Sequence, residues 1–396
     1  MLRLHSFSVA CWGFLLVGGA TTMLGLLLPA LSRQWGLGAG EAGRFFVAQF
    51  SGSLLGALCS GRLLCRLGWR ALGAAAYTLL AAGVLALGAR SYVVALTATA
   101  AYGIALGLLI PATNLFVGLG CGGRRAAALN LLNLAWCGGA VATPLVVAAS
   151  VTQAGITTFA KVFALAAMGM ALAVGISSSA GTPKLAGAPG AATGKDHYPP
   201  GALTALAALF QFLYVGTENS LSGWLPSFVG RLGYTFQEAA AAQLGLWAAV
   251  LAGRMAAPVV LARLDARRWM VASLILALGG TVFVLSVRDW FALLAAVAVS
   301  GFGLAAVFPT SVALYLERGR DRVVPAAGLV FACGALGGAT IPWVVGLLAD
   351  WQRDLRRALV VAACCVAAML LIEVALQRPE RRLRGSKAPA SAGPDG

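Results

Sequence analysis

Long apolar runs separated by short polar joints fill the chain from position 6 to 376. A bilayer-spanning helix needs ~20 mostly apolar residues. Twelve runs approach or exceed that length: 6–31, 41–60, 71–89, 92–118, 126–149 and 157–177, then 201–228, 238–261, 269–287, 290–316, 325–349 and 355–376. None alternates apolar and polar positions in the manner of a membrane strand, and stretches such as Ala239–Val250 suit helices. The pattern predicts an all-α integral membrane protein. The first run follows Arg3 and His5 as a signal peptide would, but it is too long for one and has a counterpart in mid-chain.

The pattern is written twice. At an offset of 197, Gly19 falls on Gly216, Leu28-Pro29 on Leu225-Pro226, Gly36 on Gly233, Glu41 on Glu238 and Arg66-Leu67 on Arg263-Leu264. One residue later, at 198, Gly103 falls on Gly301, Pro111 on Pro309, Gly139 on Gly337 and Pro144 on Pro342. Glycine and proline mark fixed backbone geometry, so their pairing along the chain signals duplication. The expected domains are an N-terminal six-helix repeat (1–177), a polar linker (178–200), a C-terminal six-helix repeat (201–376) and a disordered basic tail (377–396). Internal duplication of an apolar chain marks secondary transporters, whose substrate site lies between the repeats.

Composition sharpens this picture. The 396 residues are 60% hydrophobic and only 11% charged, with a mean hydropathy of +0.86, far from the roughly 25% charge of soluble domains. The net charge of +16 would suit a nucleic-acid binder, but its placement speaks for topology. With the N-terminus in the cytoplasm, Arg33, Arg90, Arg231, Arg288, Arg353, Arg356 and Arg357 lie outside. Arg44, Lys161 and Arg254 lie within spans, and the other nineteen of the 29 Lys and Arg lie inside. Excess inside places both termini in the cytoplasm of a multi-pass protein of the cell membrane, with some basic contact to anionic lipid. The eight cysteines show no disulfide or zinc spacing. No nucleotide, metalloprotease or nucleophile-elbow motif occurs, so neither enzyme activity, cofactor nor metal is expected.

The joint Gly61-Arg62-Leu63-Leu64-Cys65-Arg66-Leu67-Gly68-Trp69-Arg70 resembles the loop signature of the major facilitator superfamily. Further segments are similar to its fucose and glucose/galactose permease branch: Gly107 to Asn114 and Phe116, Leu129-Asn130-Leu131-Leu132-Asn133 with Gly138-Gly139, Tyr214-Val215-Gly216-Thr217-Glu218 with Trp224-Leu225-Pro226, and Pro342-Trp343. The resemblance implies a twelve-helix fold of two pseudo-symmetric halves, acting as a sugar:proton symporter and taken here as a monomer. It also implies an inner gate built on Arg62, Arg66 and Arg70, with Arg254 and Asp265 in the second half. Cys65 stands where an Asp is usual, and Ile110 where the branch carries an acid.

Charged residues in a bilayer cost about 3 kcal/mol at midspan, so each is a functional candidate. Arg44, Lys161 and Glu373 fall near span ends, leaving Glu218 and Arg254. Gln211, Tyr214 and Glu218 share one face of span seven, with Asn219 beside them. Glu218 is the expected proton-coupling group, since burial disfavours the charged carboxylate. Arg254 shares a face with Gln243 and Trp247, ~12 Å deeper than Glu218 by helix rise, which leaves a direct ion pair open. Asn114, Asn130, Asn133 and Trp136 offer carboxamides for hydroxyl groups and a flat ring for a sugar; hydrogen bonding between helices is the alternative for each. The constellation fits a transporter of a small neutral polyhydroxy compound. A proton-antiporting exporter of amphiphiles and a non-transporting membrane sensor remain the alternatives.

Overall fold

The computed structural model describes residues 4–121, 125–177, 201–319 and 327–385. The linker expected at 178–200 lies outside them. The elements are α1 (Leu4–Trp35), α2 (Ala39–Ala86), α3 (Tyr92–Gly120), α4 (Arg125–Ile176), α5 (Gly201–Arg231) and α6 (Phe236–Leu261). There follow α7 (Ala266–Ser286), α8 (Trp290–Ala305), α9 (Val307–Gly319), α10 (Ala327–Gln352), α11 (Leu355–Ala358) and α12 (Val360–Gly385). No strand occurs among the described residues.

Ten helical stretches among the described residues are long and apolar enough to cross a membrane. The 48-residue Ala39–Ala86 counts once there but holds two crossings. Its backbone leaves helical geometry at Gly68 (φ 74°, ψ 167°). Gly52 and Gly83 both lie against the Ala98–Tyr102 stretch of α3, whereas an unbroken helix would hold them roughly 45 Å apart. The chain therefore doubles back at Gly68. The joint expected at 61–70 is thus mostly helix: its Leu and Arg residues favour helix, and Gly68 alone makes the turn. In α4 the same reversal occurs at Gly155 (φ 77°), since Gly19 lies against both Gly139 and Phe163.

The remaining crossing is α5, whose 31 residues suffice in length. Gln211, Tyr214, Glu218 and Asn219 lower its hydropathy, and it is not among the ten. Two of the ten are interrupted helices. The α8–α9 pair forms one span, Trp290–Tyr315, broken at Ala306 because the Pro309 ring disturbs the carbonyl four residues earlier. The α11–α12 pair forms another, Leu355–Leu376, and its helix continues to Gly385, past the expected end of ordered structure at 376. The architecture is the expected one, two six-helix halves with both chain ends on the same side, called here the terminus side.

Duplication is visible in the backbone as well. Gly36 (φ 62°) and Gly233 (φ 97°) make matching left-handed turns, and so do Gly155 (φ 77°) and its partner at offset 198, Arg353 (φ 54°). Within the first half α2 and α3 pack backbone to backbone: Gly103 lies on the Gln49 carbonyl and Gly107 on that of Ser53. Small residues permit such approach. The stripe Gln49, Ser53, Gly56 and Ser60 is thereby a packing face, with the Tyr102 hydroxyl donating to Gln49 Oε1 at 3.0 Å. The halves meet where α2 packs on α10, α4 on α6 and α1 on α5.

Arg353 is the only described non-glycine residue with positive φ, a conformation that costs an L-residue about 1–2 kcal/mol. Arg353→Gly is expected to hold or raise the thermal stability of the purified protein, and Gly155→Ala to lower it by about 1 kcal/mol. Equal losses from both changes would contradict the left-handed joint.

Candidate functional site

Polar side chains concentrate where α5 and α6 meet α1 and α4. Tyr214 and Glu218 flank the midpoint of α5, one helical turn apart and on one face. The Tyr214 hydroxyl lies 2.8 Å from Glu218 Oε1 and 3.3 Å from the Leu304 carbonyl oxygen. Because α5 runs on to Arg231 rather than stopping near Pro226, Glu218 sits deeper than the sequence implies. Its depth differs from that of Arg254 by ~8 Å, not ~12 Å, at 1.5 Å per residue. Tyr214 is hydrogen-bonded to Glu218, and Arg254 lies within electrostatic reach of both. Glu218 and Arg254 form no direct hydrogen bond.

Arg254 reaches across to the other half. Its Nη1 donates to Cys137 Sγ at 3.2 Å, and its guanidinium lies 5.4 Å from the centre of the Trp136 ring. A cation over a desolvated aromatic face is stabilised by up to about 2 kcal/mol. Trp136 meets Trp247 edge to face, with centroids 5.7 Å apart. One turn further from the terminus side, buried Gln243 donates from Nε2 to the Thr22 carbonyl of α1 at 3.1 Å. Three polar atoms along this side of α6 lack a partner among the described residues: Gln243 Oε1, Trp247 Nε1 and Arg254 Nε.

The other expected site residues are placed differently. Gln211 donates to Ser311 Oγ at 2.8 Å. Asn114, Asn133 and Asn219 each donate to the carbonyl four residues earlier, on Ile110, Leu129 and Val215. Asn130 and Asn133 are exposed on the terminus-side part of α4. On the terminus side, Arg70 donates from Nε to the Gly175 carbonyl at 2.9 Å and from Nη2 to the same oxygen. It thereby caps the end of α4 within its own half. Arg62, Arg66 and Asp265 are exposed, and Asp265 starts α7 without a side-chain cap.

The sequence profile described as Major Facilitator Superfamily matches residues 10–324. The chain belongs to the Major Facilitator Superfamily. Solved structures agree in fold. A variant of the E. coli fucose:proton symporter superposes with a TM-score of 0.63 at 18% identity, over 93% of this chain and 97% of that one. A variant of the nucleoside transporter NupG gives 0.78 at 13%, over 94% and 99%. The xylose transporter XylE from E. coli, in a partially occluded inward-open conformation, gives 0.72 at 13%, over 93% and 97%. No curated protein sequence matches the chain.

Two carboxylates of this facilitator escaped the sequence reading. Glu373, expected near a helix end, is only 3% exposed, because α12 continues to Gly385. Asp350, at the end of α10, joins the halves on the side opposite the termini. Its Oδ1 accepts from the Ala39 backbone N–H and its Oδ2 from that of Gly40, each at 2.7 Å. These N–H groups open α2, which begins on Gly38 and so lacks a capping side chain. That missing cap was the available signal: a glycine-started helix needs an acceptor from elsewhere. Around this latch, Gly43 lies on Trp343, and Phe46 on Gly223 and on Trp224 at 5.9 Å. Every cross-half contact named here lies at the level of Cys137 and Arg254 or beyond it, away from the termini.

Asp350→Asn keeps the shape but removes the charge from two charge-assisted bonds, each worth about 1.5–3 kcal/mol. With a single cysteine at position 46, this change should raise labelling by a membrane-impermeant reagent from the side opposite the termini by about tenfold. Unchanged labelling would show that Asp350 does not hold that side closed.

Proposed function

We propose that this facilitator carries a small neutral polyhydroxy solute, such as a sugar, across the cell membrane together with protons, by alternating access between its halves. The observation that carries the reading is the set of unpartnered atoms on α6. Gln243 Oε1 accepts, while Trp247 Nε1 and Arg254 Nε donate. A hydroxyl both donates and accepts, so several on one small molecule match such a mixed set. The Trp136 and Trp247 rings add apolar faces suited to a pyranose. Solved structures of the same fold include proteins described as a fucose:proton symporter and a D-xylose-proton symporter, which favours this cargo and this coupling.

Protons enter the reading through Glu218. It lies at mid-helix, hydrogen-bonded to Tyr214 and within the electrostatic reach of Arg254. Gain or loss of a proton there changes the charge at the junction of the halves, so it biases which side opens. The excess of Lys and Arg on the terminus side supports cytoplasmic termini. On that orientation the Asp350 latch closes the outer side and solute leaves toward the cytoplasm.

Reconstitution in proteoliposomes tests both parts. The wild-type protein is expected to accumulate a sugar under an inward proton gradient and to exchange it at equal concentration on both sides. Glu218→Gln fixes the neutral state; it should abolish accumulation and spare exchange. Accumulation surviving in the variant would exclude Glu218 as the coupling group, and loss of exchange with loss of binding would make it a substrate ligand. Absence of flux for every neutral polyol tried with the wild-type protein would contradict the transport reading itself.

A further inference from the structure

On the side opposite the termini, a pocket of about 310 Å³ lies within the C-terminal half. Three arginines from three segments line it: Arg231 at the end of α5, Arg288 in the joint between α7 and α8, and Arg356 in α11. Phe228, Leu232 and Leu355 supply the apolar wall, and Asp354 is the one acid among the described lining residues. Neither Glu218 nor Arg254 is among them, nor is any residue of the N-terminal half. The volume is at the lower end of the range for small-molecule sites.

The charges on this wall do not cancel. Both oxygens of Asp354 are already engaged. Its Oδ1 accepts from the Arg356 N–H at 2.8 Å and from the Arg357 N–H at 3.4 Å, and its Oδ2 pairs with Arg357 Nε at 3.4 Å. Arg357 is not on the wall, so the one acid is taken up from outside. Arg356 is held by neutral groups: Nη1 donates to the Leu285 carbonyl at 2.9 Å and Nη2 to that of Val287 at 3.2 Å. Its guanidinium lies 5.5 Å from the centre of the Phe228 ring. These contacts fix the group but leave its charge uncompensated and several of its N–H donors unspent. The side chains of Arg231 and Arg288 make no hydrogen bond or ion pair among the described residues. The Arg288 carbonyl accepts from the Tyr234 hydroxyl at 2.7 Å, which steadies the joint that carries it. Asp289, next in sequence, is off the wall and caps α8 through the Ala292 N–H at 2.9 Å.

Like charges gathered in one recess repel each other and focus a field that draws a counter-ion. Topology makes the cluster more unusual, because Lys and Arg are sparse on this side. Sequence places only seven of the 29 there, and three of the seven line this pocket. We infer that the pocket binds a phosphate group, separately from the junction of the halves. Guanidinium groups hold phosphate through paired, charge-assisted hydrogen bonds. A phosphate points its oxygens in several directions, which suits arginines arriving from three segments, whereas a carboxylate presents two oxygens in one plane. The group comes either as a free anion or as the head of an anionic phospholipid, and the recognition chemistry is the same.

The test uses the full-length protein in maltoside detergent, which carries no phosphate of its own. Equilibrium dialysis measures radiolabelled inorganic phosphate. Native mass spectrometry titrates dioctanoyl phosphatidylglycerol, with dioctanoylglycerol as the blank. Saturable binding of one phosphate or one phospholipid per protein is expected, with acetate competing about tenfold less well than phosphate. Whichever probe binds more tightly identifies the source of the group. Arg231→Gln combined with Arg288→Gln should weaken binding by about tenfold or more. Both side chains are exposed, so the change strands no buried partner. Arg33→Gln combined with Arg90→Gln removes the same charge from the same side of the other half and should leave binding unchanged. If the first double variant is not monodisperse, Arg288→Gln alone takes its place and should weaken binding several-fold. Absence of saturable binding of both probes overturns the inference, as does acetate competing as well as phosphate. Binding that survives the loss of Arg231 and Arg288, or falls equally in the Arg33 and Arg90 control, overturns it too.

Discussion

Inside a bilayer a polar side chain has no water to turn to, so each one must find its partner within the protein. In this facilitator that requirement draws polar residues of several helices toward the junction of the halves. Tyr214 is hydrogen-bonded to Glu218, Arg254 acts on both electrostatically, and Arg254 extends to Cys137 and Trp136 of the opposite half. The contacts that lower the cost of burying these groups are also the contacts that hold the halves together. Any change in the charge at Glu218 is therefore felt electrostatically by Arg254, which holds the interface. The atoms of α6 left without partners lie along one side of that helix, and the proposed function assigns them to a solute.

The duplication makes a second feature legible, because equivalent helix starts are solved in unlike ways. In the C-terminal half, α6 caps itself: Thr235 Oγ1 accepts from the Glu238 N–H at 3.2 Å and Glu238 Oε2 accepts from the Thr235 N–H at 2.7 Å. Its counterpart α2 begins on Gly38. There Glu41 closes only one weak bond at 3.4 Å, and Asp350 of the other half accepts from the next two N–H groups. A local cap survives any movement of the halves, whereas a cap supplied across them breaks when they part. The asymmetry gives the side opposite the termini a closure of its own.

Much of this was readable from residue order. The apolar runs, the offset of 197 to 198 and the shared face of Tyr214 and Glu218 depend on local periodicity, and each has its counterpart in the helices. What escaped depends on chain ends and on long-range approach. The depth of Glu218 shifted because α5 outruns Pro226, and Glu373 proved buried because α12 outruns position 376. Asn130 and Asn133 are exposed on the terminus-side part of α4, and helical spacing fixes their face but says nothing of what lies opposite it. Asp350 meets α2 across 311 positions of sequence, and only the glycine start of that helix hinted that an acceptor was needed.

The central claim is that the protonation state of Glu218 biases the arrangement of the halves. Spin labels at the exposed positions 90 and 288, one on each half and both on the side opposite the termini, report it by double electron–electron resonance in nanodiscs. The account predicts a distance distribution that shifts between acid and alkaline pH in the otherwise wild-type protein and stays fixed in Glu218→Gln. The same pH response in both proteins would contradict it.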